Sequence, residues 1–319
     1  MGLAFVFPGQ GSQFVGMGTE LAKNFAVARE VFQEVDSSLN QPLYKIIVEG
    51  PDSALMLTEN TQPALMAVSL AFMRVLDQEV GYPAIRKADF LAGHSLGEYT
   101  ALTVAGVFSL ADSAKLLKIR GQAMQSAVPV GIGAMAALLG ADLAIAQAIC
   151  NQAVKEEKGG ICTPANDNCP GQVVISGLKT TVEKALELAP KHGIKKAILL
   201  PVSAPFHCSL MQSAADRMAE ALKTVTFKKP SKPIIANINA KPVSDPSQIQ
   251  LLLVEQVVGM VKWRESVLTL RENNIHKFIE VGAGKVLSGL IKRIDKDLTT
   301  MNCADIADIG QITQWLLQK

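Results

Sequence analysis

The sequence predicts an α/β protein in which a mostly parallel, helix-covered sheet carries a smaller inserted domain. Short apolar strands alternate with helical patterns at both ends of the chain, as they do in parallel sheets. Residues 131–200 interrupt that alternation with two helices and four strands in a different order. The length of 319 residues, with 49% apolar and 19% charged side chains, is sufficient for two packed lobes and excludes a disordered chain.

The elements of the larger lobe are predicted from apolar runs and helical periodicity on both sides of the insert. Pro63 suits the first turn of one helix, because proline needs no amide donor there. The predicted strands are 3–7, 90–92, 234–237 and 278–281, and the predicted helices are a helical region ending at 35, then 62–76, 96–105, 110–127 and 210–222.

The insert is predicted to be a ferredoxin-like small domain with the element order βαββαβ. Prolines before and after it favour boundaries at 129 and 201, so that residues 1–128 and 202–319 together form the large domain. The predicted strands are 134–139, 160–166, 172–176 and 196–200, and the predicted helices are 143–154 and 179–192.

Composition excludes several classes of protein. The net charge of +2 gives no reason to expect a nucleic-acid partner or binding to a membrane surface. No apolar run approaches the roughly 20 residues of a membrane span, and the first residues lack the basic segment of a signal peptide. The five cysteines show no paired metal-binding spacing. We therefore expect no metal site, and reduced thiols in a cytoplasmic protein.

The most informative motif is Gly93-His94-Ser95-Leu96-Gly97, a G-x-S-x-G pentapeptide between an apolar strand and a helix. This strand–turn–helix context is that of a nucleophile elbow, in which a serine is exposed at a sharp, strained turn. The glycines avoid the clashes that β-carbons would cause there. A serine in an ordinary turn is the alternative, but the context favours Ser95 as a nucleophile whose neighbouring amides stabilise an oxyanion.

A serine nucleophile needs a base, and the chain contains four histidines. His94 adjoins the serine, and adjacent side chains diverge at a tight turn, so we expect it to pack or to shape the pocket. His192 lies at a helix end before a glycine cap, which favours a surface role. His276 is predicted as a turn residue entering a strand. His207 follows a proline-punctuated loop between a strand and a helix, which favours it as the general base.

Several motifs occur in order along nearly the whole chain: Phe7-Pro8-Gly9-Gln10-Gly11-Ser12-Gln13, Gly93-His94-Ser95-Leu96-Gly97-Glu98-Tyr99, Arg120-Gly121, Pro170-Gly171-Gln172, Phe206-His207 and Glu280-Val281-Gly282-Ala283-Gly284-Lys285. Their combination resembles the malonyl-CoA:acyl-carrier-protein transacylases of bacterial fatty-acid synthesis. The resemblance implies a hydrolase-like α/β core with a ferredoxin-like insert and an active site between them.

The resemblance also implies roles for residues beyond Ser95 and His207. Gln10 and Leu96 match residues whose backbone amides form the oxyanion hole. Gln256 matches a glutamine whose backbone carbonyl orients the histidine in place of a triad acid. The following Val258-Gly259 departs from the family's usual Asn-Pro pair, which puts the local turn, and hence the direction of that carbonyl, in question.

Three further residues are expected in the cleft. Arg120 matches the arginine that pairs with the malonyl carboxylate, whereas an ordinary arginine in this helical pattern would lie at the surface or in an internal ion pair. Asn166 matches a cleft-lining asparagine of the insert. Phe206 either narrows the space around the acyl α-carbon or is a simple core aromatic residue.

The implied reaction transfers malonyl from malonyl-CoA to the phosphopantetheine arm of acyl carrier protein through a malonyl-serine, by a ping-pong mechanism without a cofactor. The family also implies a monomer. A serine thioesterase or esterase would share Ser95 and His207, and a noncatalytic carrier-docking subunit is a second alternative. Because acyl carrier proteins are acidic, two lysine clusters are candidate docking sites: Lys191, Lys195 and Lys196, and Lys228, Lys229 and Lys232.

Overall fold

The computed structural model describes residues 2–202 and 204–318, and within them the chain forms two sheets surrounded by helices. The strands are β1 (Gly2–Phe7), β2 (Phe90–Gly93), β3 (Gly133–Leu139), β4 (Cys162–Cys169), β5 (Gln172–Leu178), β6 (Lys196–Leu199), β7 (Ile234–Ile235), β8 (Pro242–Val243), β9 (Ile275–Val281) and β10 (Thr299–Cys303). The helices are α1 (Thr19–Asn24), α2 (Ala26–Leu39), α3 (Leu43–Glu49), α4 (Asp52–Leu55), α5 (Thr58–Val80), α6 (Leu96–Val104), α7 (Leu110–Ser126), α8 (Leu143–Glu156), α9 (Lys179–Leu188), α10 (Gln212–Lys223), α11 (Pro246–Val258), α12 (Trp263–Glu272), α13 (Val286–Ile294) and α14 (Ile306–Leu317).

The larger sheet is mostly parallel, as the sequence predicts. Its strand order is β10-β9-β1-β2-β7-β8, and only the short β8 runs antiparallel to its neighbour. The central strand β1 is buried from Leu3 to Phe7, with Phe5 paired to Leu91 on one side and to Ile279 on the other. A strand covered on both faces needs apolar residues at successive positions, which explains its continuous apolar sequence.

The smaller sheet is antiparallel throughout and has the order β4-β5-β3-β6. Because successive side chains of a strand point to opposite faces, β3 contributes to two cores. Ala136 and Leu138 pack with α8 and α9 in a separate apolar cluster. Met135 and Ala137 alternate with these two residues along the strand and pack in the main core of the large sheet instead. The predicted strands and helices of this segment all occur, with ends shifted by up to a few residues.

Some elements differ from the predictions. Strand β10 was not predicted because its sequence, Thr299-Thr300-Met301-Asn302-Cys303, is polar and lies half exposed at the sheet edge. Helices α11 to α14 and the two-residue β8 were also not assigned. The prediction that Pro63 lies in the first turn was wrong, because α5 begins at Thr58 and Pro63 is its sixth residue.

Two histidine-containing segments also differ in detail. His276 lies inside β9 rather than in a turn, and Asn274, with φ of 63°, makes the turn before it. The helix predicted to end at His192 stops at Leu188, and a short 3-10 turn, Ala189–His192, continues to the cap. The loop before His207 includes Ser203, which lies outside the described residues.

The smaller sheet is attached to the larger lobe through β4 and the segment before α12. The amide of Asp167 donates to the carbonyl of Val261 at 3.0 Å, and the amide of Val261 donates to the carbonyl of Ala165 at 2.9 Å. Arg264 Nη2 pairs with the carboxylate of Asp167 at 2.8 Å. These contacts place β4 beside the chain that continues from α11.

No helix in the described part of the chain is long and apolar enough to cross a membrane.

Gly121 lets α7 pack closely on the start of α5. A methyl group at Gly121 would lie 2.5 Å from Cα of Glu59 and 2.6 Å from the carbonyl oxygen of Thr58, and both are backbone atoms. Backbone cannot move aside as a flexible side chain can, so any β-carbon here would separate the two helices. The next residue toward the N-terminus of α7 is Arg120, whose position therefore depends on this contact.

We expect Gly121→Ala to lower the free energy of unfolding by about 1–3 kcal/mol, as overpacking does. Gly310→Ala is the matched control, because Gly310 lies exposed in α14 with no atom within 4 Å of the added methyl group. This control should raise the free energy of unfolding by up to about 1 kcal/mol through helix propensity. Urea unfolding followed by circular dichroism measures both changes, and equal stabilities of the two variants would contradict the prediction.

Candidate active site

Ser95 lies at a sharp turn between β2 and α6. Its φ of 53° and ψ of −108° are strained for a residue with a β-carbon. A methyl group at Gly93 would lie 1.9 Å from the carbonyl oxygen of Gly97, and one at Gly97 would lie 2.3 Å from the carbonyl oxygen of Phe7. The two glycines are therefore required by close backbone approach, and the turn has the geometry of a nucleophile elbow.

Asn237, which follows β7, holds the turn from the side. Its Oδ1 accepts from the amide of Ser95 at 2.7 Å, and its Nδ2 donates to the carbonyl of Gly93 at 2.7 Å. The side chain is buried, so these bonds are shielded from water. One amide side chain thus fixes the backbone on both sides of His94 and stabilises the strained serine.

His207 contacts the serine through its Nε2, which lies 2.9 Å from Ser95 Oγ. Its Nδ1 lies 2.8 Å from the carbonyl oxygen of Gln256 and 3.1 Å from that of Gly259. Since carbonyl oxygens only accept, Nδ1 carries the proton and Nε2 is left to accept from the serine. The turn after α11, which lacks the usual Asn-Pro pair, therefore still directs the Gln256 carbonyl at the imidazole.

Burial, reinforced by the positive charge of Arg120, lowers the pKa of His207 to about 3. The imidazole is consequently neutral near pH 7, which is the form able to take a proton from Ser95. The two carbonyl contacts oppose this shift because they favour the protonated ring. They would stabilise the imidazolium that exists only while the serine is attacking.

Arg120 is buried, with 1% of its surface exposed, and it also contacts the serine. Its Nη2 donates to Ser95 Oγ at 3.1 Å and to Gln256 Oε1 at 2.9 Å, while its Nη1 donates to Gln62 Oε1 at 2.8 Å. All three acceptors are neutral. The guanidinium carbon also lies 5.5 Å from the ring centre of Tyr99. A buried cation without a carboxylate bonded to it is suited to bind a carboxylate from a ligand.

Glu98, three residues after the serine, is a second buried ionisable group. Its Oε2 accepts from Gln256 Nε2 at 2.7 Å and from the amide of Asn237 at 3.0 Å. Burial raises the pKa of this carboxyl to about 7, against the opposing effect of these hydrogen bonds and of the Arg120 charge. The Gln256 side chain lies between the carboxyl group and the guanidinium and contacts both.

These groups surround a cavity of about 660 Å³, a volume typical of small-molecule sites. Its walls come from the elbow, from the glycine-rich turn after β1, from α7 and α13, and from the inner face of the smaller sheet. The residues expected in the cleft that line it are Gln10, His94, Ser95, Leu96, Arg120, Asn166, Phe206 and His207. Gln256 lies behind this wall and reaches the site through its carbonyl and its side chain.

Gln10 and Leu96 line the same cavity as Ser95. Leu96 is the first residue of α6, where amides have no acceptor within the helix. Gln10 lies in the turn after β1, and this turn packs directly on the elbow, since a methyl group at Gly9 would lie 2.7 Å from the carbonyl oxygen of His94. Both amides are therefore near enough to the serine to be candidates for binding an oxyanion.

The His94 ring contacts Asn168 and Trp263. Its Nε2 lies 2.9 Å from Asn168 Oδ1, and its ring centre lies 5.8 Å from that of Trp263. Burial lowers its pKa, which favours a neutral ring. Phe206 is 8% exposed and contributes to both the cavity wall and the core.

Four residues around the site were not identified from the sequence: Gln62, Glu98, Asn168 and Asn237. Each is a polar residue that the structure buries, with at most 8% of its surface exposed. Glu98 and Gln62 carry a usable signal, because a polar side chain within an apolar helical pattern must find a partner. Within the described residues, no group of three or more His, Cys, Asp or Glu could hold a metal ion.

Comparisons with known proteins agree over nearly the full length. The sequence profile of a family described as the acyl transferase domain matches residues 4–311. The chain is 42% identical over 317 residues to the malonyl CoA-acyl carrier protein transacylase of Bacillus subtilis (strain 168), covering 99% of this chain and 98% of that protein.

Solved structures show the same fold. The crystal structure of an acyl-carrier-protein-S-malonyltransferase from Bartonella henselae superposes with a TM-score of 0.95 at 51% identity, covering 99% of both chains. A second structure, described as a type II PKS acyl-carrier protein in complex with its malonyl-transacylase, superposes with a TM-score of 0.94 at 39% identity. It covers 98% of this chain and 99% of the other.

We expect the imidazole of His207 to stay neutral between about pH 8 and about pH 5, because its pKa lies far below the usual value of about 6.5. The 15N chemical shifts of the ring, followed by NMR in labelled protein, distinguish the neutral from the protonated form. The signal is assigned by its absence in His207→Ala. A midpoint near 6.5 would show that the ring is not shielded from water as described.

Proposed function

The chain belongs to the malonyl CoA-acyl carrier protein transacylase family, and we propose that it transfers malonyl from malonyl-CoA to the phosphopantetheine thiol of acyl carrier protein. The observation that carries this proposal is the convergence of Ser95, His207 and Arg120 in one cavity. Both His207 Nε2 and Arg120 Nη2 lie within hydrogen-bond distance of Ser95 Oγ. One group activates the nucleophile and the other binds an acyl group that bears a carboxylate.

The first half-reaction forms a malonyl-serine. Ser95 Oγ attacks the thioester carbonyl while His207 Nε2 takes its proton, and the carbonyl oxygen becomes an oxyanion that the amides of Gln10 and Leu96 bind. When the intermediate collapses, the carbon–sulfur bond breaks and the imidazolium returns the proton to the CoA sulfur. The carbonyl oxygens of Gln256 and Gly259 stabilise the imidazolium, as the aspartate does in enzymes with a Ser-His-Asp triad.

The second half-reaction repeats these steps with the carrier's thiol as nucleophile. His207 takes the thiol proton, the sulfur attacks the malonyl-serine, and the proton returns to Ser95 Oγ as the ester bond breaks. A hydrolase would use water at this step. The transacylase relatives and the arginine in the acyl site do not favour the hydrolase alternative. The intact Ser95–His207 pair also disfavours a noncatalytic docking subunit.

Arg120 is the proposed source of selectivity for malonyl over acetyl groups. A guanidinium pairs with a carboxylate through two parallel hydrogen bonds, and its present acceptors are neutral oxygens that a carboxylate can outcompete. An acetyl group offers no such partner. Loss of one charge-assisted bond costs about 1.5–3 kcal/mol, which corresponds to about a 10- to 100-fold preference.

Other lining residues have supporting roles in this proposal. Phe206, next to the base, narrows the space at the acyl α-carbon, and Asn166 and His94 shape the wall on the side of the smaller sheet. Residues 129–201 are proposed to form a ferredoxin-like insert in a hydrolase-like domain of residues 1–128 and 202–319. The order β4-β5-β3-β6 and the two helices packed on one face of that sheet support this division.

The reaction needs no cofactor, because each half-reaction is a nucleophilic substitution with a proton transfer. The partners are a coenzyme A thioester and the acyl carrier protein, as in the related carrier complex. A cytoplasmic location, a monomeric state and the absence of a nucleic-acid partner stay predictions from the sequence and the resemblance.

We expect Ser95→Ala to form no malonyl adduct when incubated with malonyl-CoA and examined by intact mass spectrometry. His207→Ala should form the adduct about 100- to 10,000-fold more slowly, since it keeps the nucleophile but loses its base. Ser12→Ala, which removes another serine of the same cavity, is the matched control and should be acylated normally. An adduct on Ser95→Ala would place the nucleophile elsewhere.

We expect Arg120→Ala to lower kcat/KM for malonyl-CoA by about 10- to 100-fold or more while sparing or raising transfer from acetyl-CoA. Arg120→Lys keeps the charge but cannot pair through two parallel bonds, so its malonyl transfer should be intermediate. Steady-state kinetics with both thioesters measure the ratio. If both substrates lose activity equally, Arg120 serves the fold rather than the selectivity.

We expect Lys195→Glu/Lys196→Glu to weaken transfer to acyl carrier protein at low salt, with little change in transfer to free pantetheine. Both lysines are exposed at the start of β6, whose end leads into the cavity wall at Leu200. The control is Lys228→Glu/Lys229→Glu at the second lysine cluster. The backbone amide of Lys228 donates to the carbonyl of Val107, which lies beyond the end of α6 that is opposite to Ser95. Carrier kinetics at low salt that are unchanged from the wild type in Lys195→Glu/Lys196→Glu would remove this cluster from the docking site.

A further inference from the structure

Glu98 is a buried carboxylate that no step of the proposed reaction uses. It lies on the first turn of α6, three residues after the nucleophile, and 2% of its surface is exposed. Burial of a carboxylate costs free energy unless the group is paired and hydrogen-bonded. Its two hydrogen-bond donors are the backbone amide of Asn237 and the side-chain amide of Gln256, and both donors belong to residues that also touch Ser95.

We propose that Glu98 is a positioning residue that fixes the orientation of the Gln256 amide, and through it holds Arg120 where it selects an acyl group with a carboxylate. This inference rests on the proposed malonyl transfer. It adds a residue that touches neither the substrate nor Ser95 Oγ.

The orientation follows from what each atom can do. A side-chain amide has one donating end and one accepting end, and an ionised carboxylate only accepts. Glu98 therefore requires the NH2 end of Gln256, which also donates to the carbonyl of Ser95 at 3.1 Å. The oxygen end must then face Arg120, whose Nη2 donates to it at 2.9 Å. A reversed amide would direct its NH2 group at the guanidinium, and two donors would oppose each other.

The neutral amide between the two charges has a consequence for binding. If Glu98 contacted Arg120 directly, the internal ion pair would compete with the carboxylate of the substrate. With Gln256 between them, the carboxylate stabilises the buried cation at a distance, and the guanidinium remains available for a ligand. Gln256 also contacts Nδ1 of His207 through its backbone carbonyl oxygen at 2.8 Å. One residue therefore positions both the base and the arginine proposed to select the acyl group.

Glu98→Gln is the decisive variant, because it keeps the shape but can both donate and accept. The Gln256 NH2 group then loses its ionised acceptor, and its orientation is held only by the Ser95 carbonyl and by Arg120 itself. We expect this weaker hold to leave Arg120 without its acceptor for part of the time. At about pH 8, where the wild-type carboxyl is mostly ionised, we expect kcat/KM for malonyl-CoA to fall about 10-fold, mainly through KM. Transfer from acetyl-CoA should fall at most about threefold, because it does not use the arginine.

The matched control is Glu280→Gln. Glu280 is equally buried and accepts from the amides of Leu287 and Ser288, at the start of α13, so its loss should lower stability without changing the malonyl-to-acetyl ratio. The rate of Ser95 labelling by a fluorophosphonate, which carries no carboxylate to pair with Arg120, is a further readout. We expect it to fall at most about threefold in Glu98→Gln.

The second variant is Gln256→Met, which removes the amide and keeps the backbone carbonyl. It should lose the malonyl preference to a similar extent, and the double variant Glu98→Gln/Gln256→Met should be no less selective than Gln256→Met alone, because Glu98 acts through Gln256. If Glu98→Gln does not fold, a Gln256→Met variant that keeps the wild-type ratio overturns the proposal by itself.

A folded Glu98→Gln with the wild-type ratio would overturn the positioning role, as would equal losses of malonyl transfer, acetyl transfer and serine labelling. The proposed function is tested separately by the wild-type protein. If the wild type shows no preference for malonyl-CoA over acetyl-CoA, the proposed function fails, whatever the variants do.

Discussion

The strained backbone of Ser95 is the constraint on which the site depends. A non-glycine residue in such a conformation costs about 1–3 kcal/mol and persists only where its surroundings impose it. Here they do so by close backbone contact, with Gly97 against the carbonyl of Phe7 in β1, and by the two hydrogen bonds of Asn237. The nucleophile therefore reaches its position only when β1, β2, α6 and the chain after β7 have packed together.

The burial of Arg120 is a second constraint, and it is resolved without a direct ion pair. The two terminal nitrogens of the guanidinium donate to amide oxygens of Gln62 and Gln256 and to Ser95, whereas the buried Nε has no hydrogen-bond partner among the described residues. None of these contacts is with a carboxylate, so the charge is not neutralised by contact. Glu98 supplies the opposite charge from behind Gln256. This arrangement retains a buried cation for a ligand carboxylate, at the expense of a desolvated charge that a structural ion pair would have compensated better.

The smaller sheet shows how the two lobes share one cavity. Alternate residues of β3 face its own helices and the main core, so Met135 and Ala137 form part of the cavity wall while Ala136 and Leu138 hold the sheet to α8 and α9. A change on the inner face would therefore alter the cavity wall directly. A change on the outer face would act through the packing of the sheet.

Local sequence was sufficient for the elements with strong patterns: the apolar strand β1, the strands of the smaller sheet and the elbow at Ser95. It was insufficient for β10, whose polar edge residues have no apolar period, and for the start of α5 before Pro63. These features depend on which parts of the fold pack against each residue. Contacts with residues distant in the chain produce no periodic pattern in a short stretch of sequence.

The same distinction holds for the site. The residue types of a nucleophile, a base and a carboxylate-binding cation could be recognised along the chain, because each has a chemistry of its own and a motif around it. Their convergence could not, since Ser95, Arg120 and His207 come from an elbow, a helix and a loop that only packing brings together. The roles of Glu98, Asn237 and the Gln256 side chain could not be identified from the sequence for a further reason. Their function lies in the direction of individual hydrogen bonds, and that direction exists only once the donors and acceptors face each other in the folded protein.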